Sequence, residues 1–128
     1  MGDGLQPALC ILLLAVVALT SACAPPPEAA TETALASAER GKAAIERVGC
    51  ASCHTIAGIS WPQGKTGPAL DGLERRGLIA GELPNRPEVL AAFVQDAPAL
   101  VPDTAMPAMP LTDREALDVA AYLYEIGR

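Results

Sequence analysis

Cys50-Ala51-Ser52-Cys53-His54 is the stretch whose reading decides the fold. Two thiols three residues apart, followed at once by an imidazole, form the Cys-x-x-Cys-His pattern of covalent haem attachment. The thiols can reach the two vinyl groups of one porphyrin and close two thioether bonds. The imidazole beside the second thiol then lies beneath the iron and offers one axial nitrogen. Three other readings of the cysteine pair compete. One is a short structural disulfide in an exported protein. A zinc site would want four protein ligands, whereas the chain beyond residue 23 holds two cysteines and its only histidine. A thioredoxin-like pair would need a βαβ setting, and no strand pattern persists along this chain.

The chain has 128 residues, enough for one small domain with something added at an end. Aromatic residues make up 3% of it, so a core without a cofactor would be thin in large side chains. Residues 8–19 form an apolar run, too short for a comfortable membrane span and suited to the core of an export signal. Thr20-Ser21-Ala22-Cys23 follows and resembles the processing site of bacterial lipoproteins, with Cys23 as the lipidated residue. Plain cleavage at Ala22-Cys23-Ala24 and a retained N-terminal anchor are the alternatives. All three place the remainder outside the cytoplasm, in a periplasmic or extracytoplasmic compartment.

Residues 24–38, with Pro25-Pro26-Pro27, small side chains and scattered acids, read as a tether. Extended at ~3.1 Å per residue, it spans roughly 45 Å. The expected organisation is therefore 1–23 export signal or anchor, 24–38 tether and 39–128 folded domain. Within that domain residues 39–48 suit a short helix broken by Gly49. Residues 57–67 read as loop, 69–76 as at most one helical turn, and 77–86 as loop again. Pro87 suits the first position of a second helix, which Pro98 is expected to end. Prolines 102, 107 and 110 exclude regular structure there. Thr112 with Glu115 forms a capping box for a terminal helix running to Gly127. The expected fold class is all-α, three to five short helices that would wrap around one haem.

Thr66-Gly67-Pro68-Ala69-Leu70 and Met106-Pro107 complete the pattern. In this order with Cys50, Cys53 and His54, the segments resemble a class I monohaem cytochrome c across residues 39–127. The resemblance implies that the Pro68 carbonyl accepts a hydrogen bond from the ring nitrogen of His54 that does not face iron. It implies a methionine as second axial ligand, Met106 by its distance to the terminal helix, with Met109 the alternative. It also implies close crossing of the first and last helices at Gly41 and Tyr122, with Ile45 where an aromatic residue is usual. Arg76 falls where a propionate-binding arginine is expected; Arg75, Trp61 and Asn85 are further candidates. Arg75-Arg76 with the stretches 83–88 and 103–107 narrows the likeness to the cytochrome c domain fused to subunit II of bacterial haem-copper oxidases, here expected as the module by itself.

The implied activity is one-electron transfer without catalysis of its own, because iron with two protein ligands has no open position. The implied cofactor is one covalent haem c with its iron. The implied partners are redox proteins, a cytochrome bc1-type donor and a terminal oxidase or dehydrogenase acceptor. Two rivals are a haem subunit inseparable from a dehydrogenase or oxidase complex, and a gas-binding haem sensor. The net charge of −6 argues against nucleic acid. Charge is uneven: residues 40–86 hold seven bases and four acids, residues 87–128 two bases and seven acids. Such asymmetry orients encounters, and the basic side near Arg47 and Lys65 is expected to face the partner. The ligand assignment has a direct check in the oxidised optical spectrum. Met106→Ala should erase the far-red charge-transfer band and Met109→Ala should leave it; the reverse result would exchange the two.

Overall fold

Short helices, each stopped by an identifiable residue, build the domain. The computed structural model describes residues 36–128. The export segment expected at 1–23 and nearly all of the tether expected at 24–38 lie outside the described residues. Among the described residues no helix is long and apolar enough to cross a membrane.

Helix α1 is Ala38–Val48, capped by Ser37, whose hydroxyl accepts the Arg40 N–H at 3.4 Å. Gly49 ends it at φ 78°, a left-handed conformation that glycine adopts without a Cβ penalty, and its N–H returns to the Ile45 carbonyl. A 3-10 turn, Cys50–Ser52, follows directly. The single turn expected within 69–76 is a second 3-10 turn, Leu73–Arg75.

Two expectations need correction. The loop at 77–86 contains a small antiparallel hairpin, β1 Leu78–Ile79 and β2 Leu83–Pro84. Its turn sets both Ala80 (φ 52°) and Gly81 (φ 80°) at positive φ, the primed geometry that matches strand twist. Strands of two residues are too short to display alternation. The second correction concerns Pro98. Helix α2, Pro87–Gln95, already ends at Asp96, and Pro98 sits in the first turn of a further short helix, α3 Ala97–Leu100. Asp96 caps that helix by accepting the Ala99 N–H at 3.2 Å. A proline lacking its N–H is harmless there, because first-turn donors have no helical acceptor.

Helix α4, Asp113–Glu125, carries the expected capping box: Thr112 Oγ1 accepts the Glu115 N–H, and Glu115 Oε2 accepts the Thr112 N–H at 2.9 Å. The Thr112 N–H and hydroxyl, both donating to Oε2 at 2.9 Å, and after them the Arg47 charge, hold the Glu115 carboxyl below its usual range. Arg47 Nη2 reaches Glu115 Oε1 at 2.5 Å, so the cap also fastens α4 to α1.

Helices α1 and α4 cross at Gly41. A Cβ there would lie 1.9 Å from the Asp118 carbonyl oxygen and 3.0 Å from Tyr122 Cβ, so only glycine permits this approach. Around the crossing Ala44 and Ile45 pack with Val119, Ala120 and Leu123, and α2 adds Leu90, Phe93 and Val94. Ile45 is fully buried in this packing.

The crossing also holds a pair the sequence does not announce. Asp118 is 1% exposed in an otherwise apolar helix face. Arg40 donates to it twice, Nε to Oδ2 and Nη2 to Oδ1, both at 2.8 Å, and the Ser37 N–H donates to Oδ1 at 2.7 Å. Burial pushes the Asp118 pKa up, but these donors outweigh it and the net shift is downward. Loss of one partner of a buried pair costs about 3–5 kcal/mol, and return of the exposed Arg40 head to water recovers part of that. Asp118→Asn is therefore expected to cost about 1–3 kcal/mol at pH 7 by chemical denaturation. Because the folded pKa is depressed, the contribution is complete above the unfolded value of ~3.9 and is lost as pH falls through the folded value. The gap between wild type and variant should close on acidification below about pH 4.

Candidate functional site

The turn after Gly49 sets the two thiols and the imidazole. Cys53 and His54 both donate their backbone N–H to the Cys50 carbonyl, at 3.2 and 3.1 Å, and the Ser52 hydroxyl closes on the Gly49 carbonyl at 2.7 Å. Cys50 and Cys53 are not bonded to each other, so the disulfide reading is not what the structure holds. Burial pushes the Cys50 thiol above its usual range, with the neighbouring Cys53 adding to the shift. Among the described residues no three His, Cys, Asp or Glu side chains come together as metal ligands.

The loop of residues 63–71 lies against this turn. Gly64 N–H donates to the Ala51 carbonyl and Gly67 N–H to the Cys53 carbonyl, both at 2.8 Å, and Leu70 N–H reaches the Thr55 carbonyl at 3.0 Å. Gln63 fastens the near end: its amide oxygen accepts the Ile56 N–H at 3.3 Å, and its amide nitrogen donates to the carbonyls of Ile56 and Ile59. The result is that His54 Nδ1 lies 2.7 Å from the Pro68 carbonyl oxygen. A carbonyl only accepts, so Nδ1 carries the proton, and in the neutral ring Nε2 keeps the lone pair. Among the described residues Nε2 has no hydrogen-bond partner. This is the tautomer and orientation that a metal-binding imidazole uses. The expected contact between His54 and Pro68 is therefore present in the structure.

Gly67 is the residue whose role the sequence concealed. A Cβ there would lie 2.4 Å from His54 Cε1 and 2.6 Å from Nδ1. Its bare Cα lets the loop rest on the imidazole face.

The methionines differ in their surroundings. Met106 is half-buried and packs against the core, and its N–H donates to Thr104 Oγ1 at 3.3 Å. Met109 is held through its backbone, its N–H on the Gln95 carbonyl at 3.0 Å, just ahead of the α4 cap. Arg76 places Nη2 on the carbonyls of Ala69 (2.7 Å) and Asp71 (3.3 Å), beside Pro68. Two of the lesser propionate candidates are committed elsewhere. Arg75 joins Glu74 and the Gly127 carbonyl. Asn85 gives its amide nitrogen to the carbonyls of Leu73 (2.6 Å) and Arg76 (2.7 Å). Trp61 stands 86% exposed.

Haem suits this donor set: two unbonded thiols on one turn, an imidazole with its lone pair presented, and half-buried apolar side chains of Leu70, Leu83 and Met106 at the core margin. Cys50 and Cys53 would hold it covalently and His54 would bind its iron. The Cytochrome c family model matches residues 38–126. The chain belongs to the cytochrome c family. Cytochrome c oxidase subunit 2 of Alkalihalophilus pseudofirmus (strain ATCC BAA-2126 / JCM 17055 / OF4) is 34% identical over 87 residues, 67% of this chain. This chain spans only 25% of that relative's length. The crystal structure of SoxXA from P. pantotrophus superposes with a TM-score of 0.56 at 20% identity, covering 73% of this chain and 83% of that one. At that identity the likeness concerns the fold: a mostly helical cytochrome c fold of class I type. The family implies covalently bound haem.

Gly67 supplies the sharpest test of the site in this cytochrome. Gly67→Ala should lift the loop from the imidazole and break the 2.7 Å contact. In reduced protein, exchange of the His54 Nδ1 proton with solvent, read by NMR, should accelerate at least ~10-fold, equivalent to about 1.4 kcal/mol of lost protection. Unchanged exchange would show that the loop does not hold the ring.

Proposed function

We propose that this cytochrome passes single electrons between redox proteins outside the cytoplasm, held at a membrane by its N-terminal segment. Cys50 and Cys53 would hold one haem c, and His54 and Met106 would bind its iron. The observation that carries this reading is the His54–Pro68 bond at 2.7 Å beside two unbonded thiols. Haem, when bound, supplies an iron that changes by one electron. The chain does the rest. Pro68 and Gly67 fix the His54 ring, and core packing restrains Met106, so both ligands keep their places in either state. Met106 offers a neutral, soft thioether, which favours the reduced form and raises the potential. In this reading the Arg76 guanidinium, which donates to the Ala69 carbonyl, would also meet a propionate.

The respiratory setting rests on the oxidase subunit to which the chain is similar and on its charge asymmetry. Of the two bases expected to face a partner, Arg47 is engaged with Glu115. Lys65 is exposed and has no acidic partner among the described residues, which makes it the clean reporter. Reduced, haem-loaded protein mixed with membranes containing terminal oxidase should reoxidise rapidly and form no carbon monoxide adduct at neutral pH. Lys65→Glu should slow that reaction several-fold at low ionic strength and leave it unchanged at high salt. A carbon monoxide adduct without reoxidation would contradict electron transfer.

A further inference from the structure

Two tyrosine hydroxyls on helix α4 lead toward the site. Tyr124 OH donates to Asn85 Oδ1 at 2.6 Å. Asn85 passes the restraint on, its amide nitrogen on the carbonyls of Leu73 and Arg76 at 2.6 and 2.7 Å, and its backbone N–H on the Gly77 carbonyl at 3.1 Å. Arg76, held by its backbone, extends Nη2 to the Ala69 carbonyl at 2.7 Å. Ala69 follows Pro68 directly. From the other side, Tyr122 OH donates to the Ala57 carbonyl at 2.8 Å, and Ala57 N–H donates to Asp71 Oδ1 at 3.0 Å. Both routes end within residues 69–71, the segment that presents the Pro68 carbonyl to His54.

We propose that Tyr124, Asn85 and Tyr122 are positioning residues: a two-armed brace from the terminal helix that sets the aim of the Pro68 carbonyl on His54. The brace rests on the reading of His54 as the iron ligand. The physical case is one of satisfaction. Asn85 is half-buried and has its amide oxygen and nitrogen engaged, three bonds made by a single side chain. A loop carrying glycines and no regular structure has little stiffness of its own. The bonds at Ala69 and Asp71, both just after Pro68, restrict the excursions of its carbonyl. The Pro68 contact in turn raises the basicity of the imidazole. A stronger imidazole donor stabilises oxidised iron, so slackening the brace should raise the reduction potential.

Tyr124→Phe removes one oxygen and keeps the ring. In haem-loaded protein it should accelerate exchange of the His54 Nδ1 proton at least ~3-fold and raise the midpoint potential. Asn85→Ala should do both more strongly. The double variant should match Asn85→Ala alone, because the two residues act in series. Arg47→Gln, which cuts the α1–α4 contact at Glu115 away from both routes, serves as the control for lost stability. It should leave exchange and potential at wild-type values. If Asn85→Ala fails to fold, Tyr124→Phe against Arg47→Gln still decides. Wild-type exchange and potential in Tyr124→Phe would overturn the brace while leaving the haem reading intact. The same shifts in Arg47→Gln would also overturn it, as an unspecific consequence of loosening. A wild-type protein without covalent haem would overturn the functional reading and the brace together.

Discussion

One shared proton organises this domain. It sits on Nδ1 of His54 and is held by the carbonyl of Pro68, 2.7 Å away. That bond decides which ring nitrogen is presented and in what direction. Much of the rest of the fold serves the two ends of the contact. Gly49 stops α1 so that the thiols and the imidazole fall on a tight turn. Gly64 and Gly67 bring the following loop down onto that turn. The crossing of α1 and α4 gives both segments a common foundation, and Gly41 sets how close that crossing is.

Much of this was legible in the sequence because it is local. A capping box occupies four residues, and Thr112 and Glu115 declared the start of α4. The Cys50 to His54 run occupies five, and Gly49 before it marked the end of α1. The pairing of Pro68 with His54 and of Gly41 with Tyr122 came from resemblance, and the structure shows both. What stayed hidden depends on distant partners or on very short elements. Nothing near Arg40 or Asp118 signals their pairing, because 78 positions separate them. Asn85 read as a candidate donor to a ligand; its three partners lie 9, 12 and 39 positions away, and they make it a hub instead. The hairpin at residues 78–84 gives no pattern because two residues cannot alternate. Pro98 misled for a different reason: proline after a helix and proline opening the next one look alike until Asp96 is known to end α2.

The arrangement favours stillness over reactivity. Arg40 and Asp118 neutralise each other at the helix crossing, and the Thr112–Glu115 cap is shared with Arg47. Met106 is packed against the core, whereas Met109 is anchored by its backbone next to the cap. Held this way, the proposed ligands His54 and Met106 would suit a centre that must change charge without changing shape. Charge is uneven along the sequence, basic over residues 40–86 and acidic over 87–128, and such asymmetry can orient an encounter.

The central claim is that a porphyrin is joined to Cys50 and Cys53 above the ring that Pro68 holds. The most direct measurement is the intact mass of mature protein made in a host that attaches haem, taken together with alkylation of its thiols. The account predicts a mass greater than the polypeptide by one haem, with Cys50 and Cys53 both closed to the reagent. A bare polypeptide mass with both thiols open would contradict it.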